Sequence, residues 1–335
     1  MTNDIKTVAA LESCIGKVPG PMNLKVIDHL DAGAMRWLAS SPLMVFGFGP
    51  ATDISVSLAG GPPGFVDVVD SNRLRIPKAS LDDPAGAGVG IGFGALSLIP
   101  TVGETLRVNG RVVAIDGDAI ELRVDECYVH CAKALIRSGF WSAAPMHETP
   151  DEPASFLAAC RFIALASIDT QGQADVSPKG DPAGAMIRLS DDGAWFADRP
   201  GNRRADSFRN MLVQPRIAIA ALIPGATRIA LLRGEAHLTA DEGPRDSFAV
   251  QGKTPHLATR VGNLTVDMIE SAALARAAPW PAKAPKDAID AADILKVHVK
   301  LSKERGLHAA FARAALSVPG LMRKGLERDY KTNLY

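Results

Sequence analysis

The sequence predicts a mainly β protein with flanking helices, of α+β type, in which two β-barrels follow one another. Three observations predict it. The chain has 335 residues, and at roughly 150 residues per domain that length suits about two. The halves repeat one another. SLAGGPPG at 57–64 answers SPKGDPAG at 177–184, and Leu98-Ile99-Pro100 answers Leu222-Ile223-Pro224. From each of these prolines it is ten residues to a glycine, Gly110 or Gly234, and ALIRSGFW at 134–141 answers ALARAAPW at 273–280. The matches keep their order at offsets of 120, 124 and 139, so insertions fall between them, as loops allow. Short apolar-alternating runs bounded by turn residues fill both halves, which reads as strands of a barrel or sandwich.

Taken in order, residues 1–41 form an N-terminal helical lead-in, with 23–40 reading as a helix. Residues 42–145 form the first barrel, its strands drawn from LMVFGFG, DISVSLAG, GFVDVVD, RLRIP, GIGFGALSLIP, TLRVNGRVVAI and AIELRVDE. Pro84 to Gly103 is twenty residues without a charge, but six glycines and two prolines dilute it. It is therefore read as a loop entering a buried strand rather than a membrane span, which needs about 20 mostly apolar residues. The alternating glycines of GAGVGIGFG leave one strand face bare and admit another chain segment; they fit no dinucleotide fingerprint and are read as part of a degenerate site in the first half. The second barrel spans 150–282, with strands in RFIALASID, ADVSPKG, GAMIRL, GAWFAD, RIAIAALIP and TRIALLRGEAHL. Asp169–Gly172 and Asp191–Gly193 are its turn signals. A Pro-rich linker at 279–285 precedes a C-terminal helical segment, 286–335, broken near Pro319-Gly320.

Composition excludes several functions. Lys plus Arg is 37 and Asp plus Glu is 37, so the net charge is zero. Neither nucleic acid nor a membrane surface is an expected partner, since both call for excess positive charge. Hydrophobic residues make up 47% and charged residues 22%, enough apolar content for cores and too little charge for disorder. Cys14, Cys127, Cys131 and Cys160 contain no C-x-x-C pair, and we expect reduced thiols in a cytoplasmic protein. The first residues carry no signal-peptide pattern. No metal site is expected, because Cys127, His130 and Cys131 give three of the usual four ligands.

The chemistry concentrates in a few motifs. The second half carries Ser177-Pro178-Lys179-Gly180-Asp181, then Asp198-Arg199-Pro200-Gly201-Asn202-Arg203-Arg204, Asp206-Ser207 and Gln214-Pro215-Arg216. Arginine forks suit paired phosphate oxygens, Gly201 lets backbone approach an anion, and Asn202 can donate from its amide. Strand alternation puts Ser177 and Lys179 on one side. Asp181 and Asp198 could orient the arginines or simply serve turns. In the first half, alternation puts Arg107 and Asn109 on one face and Leu106 and Val108 on the other. Cys131 as a catalytic thiol would need a base and an electropositive setting, for which only His130 and Lys133 are near in sequence, and Trp141 reads as packing or stacking.

At these residues the chain resembles the pyridoxamine 5'-phosphate oxidase-like FMN-binding split-barrel family. More closely, it looks like the branch whose members carry S-P-[KR]-G-D-x-x-G, D-R-P-G-N-R-R-x-D-S, an N-P-R-like strand start, I-P-G, L-R-V-N-G-R-A and H-C-x-K-A-x-x-R-S-x-x-W. The resemblance covers roughly 24–280, and the closing ERDYKTNLY shares it. It implies two tandem FMN-binding split barrels forming an intrachain pseudo-dimer, because single-barrel members dimerise with FMN between barrels. The phosphate-loop motifs survive in the second half only, and Glu104–Arg111, His130–Lys133, Arg137-Ser138 and Trp141 in the first only. One live site is therefore implied, with FMN as cofactor held by Ser177, Lys179, Asp181, Arg199, Asn202, Arg203 and Arg204. The first half would close it through Thr105, Arg107, His130, Lys133 and Trp141. The resemblance implies an FMN-dependent oxidoreductase acting on an unknown small molecule, with no catalytic residue assigned. A non-catalytic flavin binder and a cofactor-free scaffold are the alternatives. The R-x-H-type substrate grip of true pyridoxamine 5'-phosphate oxidases is missing from LERDYKTNLY, so that activity is not expected. A monomer suffices if fusion replaces dimerisation, and a further homodimer through the C-terminal helices stays open.

Overall fold

The computed structural model describes residues 3–18, 20–201, 204–303 and 321–335. It contains two seven-stranded antiparallel sheets, one from each half. The first is built from β1 (Leu43–Gly49), β2 (Ser55–Gly60), β3 (Asp67–Asp70), β4 (Arg73–Pro77), β5 (Gly92–Leu98), β6 (Thr105–Asp116) and β7 (Ala119–His130). The second is built from β8 (Phe162–Ile168), β9 (Ala174–Gly180), β10 (Ile187–Ser190), β11 (Gly193–Ala197), β12 (Arg216–Leu222), β13 (Arg228–Thr239) and β14 (Ala258–Glu270). The strand orders are β2-β1-β5-β6-β7-β4-β3 and, read from its other edge, β9-β8-β12-β13-β14-β11-β10. Adding seven to each label turns the first order into the second. The protein is thus mainly β with flanking helices: two tandem split barrels forming an intrachain pseudo-dimer.

Register gives the repeat its physical meaning. Leu43 faces Gly60 and Leu98, while Phe162 faces Gly180 and Leu222. Gly110 and Gly234 both fall at bulges, between Asn109 and Gly110 and between Arg233 and Glu235. A Cβ on Gly110 would meet the Arg123 carbonyl oxygen at 1.9 Å, and one on Gly234 the Gly262 oxygen at 2.5 Å. A side chain is excluded at both bends.

The helices are α1 (Val8–Ile15), α2 (Ala32–Ser40), α3 (Lys133–Ser138), α4 (Pro153–Ala159), α5 (Asp206–Val213), α6 (Glu242–Asp246), α7 (Ala272–Ala277), α8 (Ala291–Leu301) and α9 (Leu321–Thr332). Residues 23–40 do not form one helix. A 3-10 turn, Gly20–Lys25, gives way at Ile27, which bridges to Cys127, and α2 begins only after Asp31 caps the Ala34 N–H. The break expected near Pro319-Gly320 lies outside the described residues. The terminal segments divide between the barrels. Asp4 bridges to Thr239, and Ile5 and Leu11 join the second barrel's core. Ala291 and Ile294 of α8 join the first barrel's core.

A third apolar cluster glues the halves together. Leu43, Val45, Val56 and Leu96 of the first pack with Phe162, Ala166, Val176 and Ala220 of the second. The contact is isologous in form: a Cβ on Gly47 would lie 2.9 Å from the Cβ of Ala166, and these residues are counterparts in the repeat. The pseudo-two-fold axis passes between them. Away from the axis, helices cross over. A Cβ on Gly180 would strike the Ala134 carbonyl oxygen of α3 at 1.9 Å, and one on Gly60 the Ala273 oxygen of α7 at 2.0 Å. Each barrel's short helix therefore seats on a glycine of the other barrel, which places α3 beside β9.

Candidate functional site

That crossover opens a cavity of about 480 Å3 along the seam. From the second barrel it is lined by Ser177, Lys179 and Asp181 of β9 and its exit, by Asp198, Arg199 and Gly201 after β11, and by Arg204, Asp206 and Phe208 at the start of α5. The first barrel contributes Arg107 of β6, His130 and Cys131 at the end of β7, and Lys133, Ala134 and Arg137 of α3. Ile15, His256 and, from the C-terminal segment, Asp329, Asn333 and Tyr335 complete the wall.

The structure brings together eight of the expected site residues: Ser177, Lys179, Asp181, Arg199, Arg204, Arg107, His130 and Lys133. Asn202 and Arg203 lie outside the described residues. Thr105 and Trp141 do not line the cavity. Thr105 is fully buried on β6, with no partner for its hydroxyl among the described residues. Trp141 packs edge-on against Phe140, their centroids 4.7 Å apart, and its Nε1 donates to the Val102 carbonyl at 2.7 Å.

Ion pairs hold the cations in place. Arg199 Nε sits 2.7 Å from Asp181 Oδ2 and Lys179 Nζ 3.2 Å from Asp198 Oδ1, so both aspartates orient basic groups. Lys179 also lies over the Phe208 ring, 4.4 Å from its centroid. Arg204 Nε meets Asp206 Oδ2 at 2.7 Å while its guanidinium stacks on Tyr128 at 4.5 Å. Lys133 Nζ reaches Asp329 Oδ2 of α9 at 2.9 Å.

Beneath the cavity runs a buried network joining the halves. Arg107 donates from Nη1 to Asp175 Oδ1 at 2.8 Å and to the Tyr128 hydroxyl at 3.0 Å, and from Nη2 to Ser177 Oγ at 2.9 Å. Ser177 in turn donates to Asp175 Oδ2 at 2.9 Å and accepts from Ser207 at 2.5 Å. Burial alone would lower the Arg107 pKa, but Asp175, Tyr128 and Asp206 outweigh it and hold the guanidinium above its usual range. Lys25 approaches from the lead-in and donates to the Val129 carbonyl at 2.8 Å. Its pKa is pushed down to about 8, chiefly by burial, with Arg107 and Arg204 adding to the effect. His130 is held well below the usual imidazole value by burial, then by Arg107 and Lys25, and stays neutral near pH 7.

Asp175, Tyr128, Lys25, Asp206, Arg137 and Tyr335 were not among the expected site residues. Asp175 was reachable by extending the alternation of Ser177 and Lys179 two residues back. Cys127 faces the first barrel's core whereas Cys131 faces the cavity. Among the described residues no group of three or more His, Cys, Asp or Glu is placed to hold a metal, and no helix is long and apolar enough to cross a membrane.

The position related to this cavity by the pseudo-axis is filled by the chain itself. After β4 the segment 78–84 folds over β2. Leu81 bridges to Ala59, the counterpart of Lys179, and the Asp83 N–H donates to the hydroxyl of Ser57, the counterpart of Ser177, at 2.9 Å. The glycine run does not mark this filled side. Gly92 and Gly94 admit Gly172 and the Asp175 backbone, at 2.1 and 2.8 Å from an added Cβ, so it supports the open cavity instead.

Residues 149–273 match the family model for pyridoxamine 5'-phosphate oxidase. No curated protein matches the chain. Among solved structures, HupZ of Group A Streptococcus is similar at 15% identity and TM-score 0.27, covering 33% of this chain and 86% of that one. A histidine-to-alanine variant of HupZ is similar at 16% identity and TM-score 0.28, covering 36% of this chain and all of that one. The family match lies on the barrel that carries the basic loop, so the similarity to pyridoxamine 5'-phosphate oxidase is shown for residues 149–273, and the other half repeats the sheet order of that barrel.

Proposed function

We propose that the protein binds one FMN per chain in the seam cavity and acts as an FMN-dependent oxidoreductase on a small molecule. One observation carries the reading: basic groups from the second barrel (Lys179, Arg199 and Arg204) face His130, Lys133 and Arg137 from the first across one cavity. At about 480 Å3 it lies within the usual range for small-molecule sites, about 300–1,000 Å3. Buried polar atoms without partners among the described residues, His130 Nδ1, Asp181 Oδ1 and Arg137 Nε, fit a polar ligand that supplies what they lack. Bound FMN would supply hydride or electron transfer.

The chain's own residues bind, orient and exclude water. Asp181 and Asp198 hold Arg199 and Lys179 so that little conformational freedom remains to be lost when an anion arrives. The Arg107–Asp175–Ser177 network fixes β9 against β6 and so sets the cavity's width. Neutral His130 can exchange one hydrogen bond with a ligand without adding charge. Segment 78–84 fills the related position, so the binding capacity is one per chain.

The test is the absorption spectrum of the purified protein and mass spectrometry of what heat releases, repeated after incubation with excess FMN. One FMN per chain supports the reading, and two per chain or none overturns it. Anaerobic reduction of the bound flavin by NADH or NADPH, with reoxidation by a substrate, separates an oxidoreductase from a flavin binder without turnover.

A further inference from the structure

What fills the closed position shows what the open cavity lacks. By strand register, Lys78–Leu81, which follow β4, correspond to Asp198–Gly201, which follow β11. Asp82 is directed onto the other barrel: Ser271 Oγ donates to Asp82 Oδ2 at 2.5 Å and the Ala273 N–H to Oδ1 at 2.7 Å. Arg276 borders the same spot, donating from Nη2 to Ser80 O at 2.8 Å and from Nε to Gly60 O at 3.0 Å. In the open cavity the counterparts of Ala273 and Arg276 are Ala134 and Arg137. Arg137 keeps one of the two bonds, from Nη2 to the carbonyl of Pro200, the counterpart of Ser80, at 3.1 Å. Its buried Nε has no hydrogen-bond partner among the described residues.

A second observation singles out the same residue. Every other Lys or Arg lining the cavity meets a carboxylate: Arg107 with Asp175, Lys133 with Asp329, Lys179 with Asp198, Arg199 with Asp181, Arg204 with Asp206. Among the described residues Arg137 meets none. Its guanidinium lies 5.8 Å from the centroid of the Tyr335 ring, and Asp181 and Asp198, whose charges reach it, are already paired with Arg199 and Lys179. On the closed side Asp82 brings a carboxylate into the field of Arg276; on the open side, among the described residues, no carboxylate lies within 4 Å of Arg137.

We propose that Arg137 grips the phosphate of FMN, taking in the open cavity the anion whose place Asp82 fills in the closed one. The inference rests on the flavin reading above and adds to it the residue that tells FMN from riboflavin. A planar guanidinium offers two parallel N–H groups to a phosphate. Riboflavin carries the same ring and ribityl chain without that group, so the ratio of the two affinities isolates the contact.

The experiment measures FMN and riboflavin binding to the full chain by flavin fluorescence quenching, for wild type, Arg137→Ala, Arg137→Lys and Arg276→Ala. Wild type is expected to prefer FMN. Arg137→Ala should lose about tenfold to hundredfold in FMN affinity, the worth of a charge-assisted hydrogen bond, with riboflavin affinity unchanged. Arg137→Lys should recover part of the loss, and Arg276→Ala should leave the FMN-to-riboflavin ratio where it was. The ratio is internal to each sample, so a partly unfolded variant still reports it. Equal losses for both flavins in Arg137→Ala, or a wild type that binds both flavins alike, would overturn the proposal while leaving flavin binding intact. A wild type that binds neither flavin sinks the flavin reading itself and this inference with it.

Discussion

Arg107 and Asp175 come from different barrels and are both almost fully enclosed, at 3% and 4% exposure. Breaking such a pair strands a charge, which costs about 3–5 kcal/mol. Arg107→Met is expected to lower the urea midpoint accordingly, while Arg107→Met combined with Asp175→Leu should recover most of the loss. Lys25 carries a pH signature. Its folded pKa of about 8 lies below the ordinary lysine value, so between that pH and roughly 10.4 the unfolded chain binds a proton that the folded chain does not. Wild-type stability should therefore rise with pH across that window relative to Lys25→Met, at up to about 1.4 kcal/mol per pH unit. Parallel urea titrations at about pH 7.5, below the folded value, and about pH 9.5, inside the window, check it; an unchanged gap rejects the burial assigned to Lys25. Alternation alone made Ser177, Lys179 and Arg107 legible as facing residues. Tyr128 and Lys25 were not legible, because their role depends on what folds over them: α5 and its approach for Tyr128, the 3-10 turn for Lys25.

The two crossover glycines give a sharper expectation for the elements they join. A methyl on Gly180 or Gly60 would press into the backbone oxygen of Ala134 or Ala273 at 1.9 or 2.0 Å, and backbone cannot rotate away as a side chain can. Gly180→Ala should cost both stability and flavin binding, because it pushes α3 and Arg137 off the cavity wall. Gly60→Ala should cost stability but spare the binding of the remaining folded protein. Thermal melts and flavin titrations together separate the two. The strands of the first barrel were read from their turn punctuation with little error. β14 was not recognised, and the reason is local. Gly262-Asn263 resembles a hairpin turn, with Asn263 at a left-handed φ of 49°, yet it lies against the bulge between Arg233 and Glu235 and the strand runs on through it. One helix was expected over 23–40 because its apolar period continues across Asp28–Asp31, where tertiary pairing of Ile27 with Cys127 overrides it.

The internal repeat made the architecture of the whole chain legible, since three matches in order demand two copies of one unit. The exchange of terminal segments was invisible, because nothing in Ile5 or Leu11 says which barrel will receive them. The shared apolar cluster between barrels implies that neither half is finished alone. A fragment of residues 150–282 is expected to elute as a dimer or larger species, because it bares Phe162, Ala164, Val176 and Ala220; light scattering that shows a folded monomer would contradict this.

The axis itself carries one last consequence. A homodimer sets two copies of the same residue against each other at its dyad, so the space there can be filled only in even steps, by no methyl group or by two. Here Gly47 meets Ala166, and the gap that remains would leave a second methyl only 2.9 Å from the first. The seam is packed with a single methyl, an odd number that no pair of identical subunits could supply.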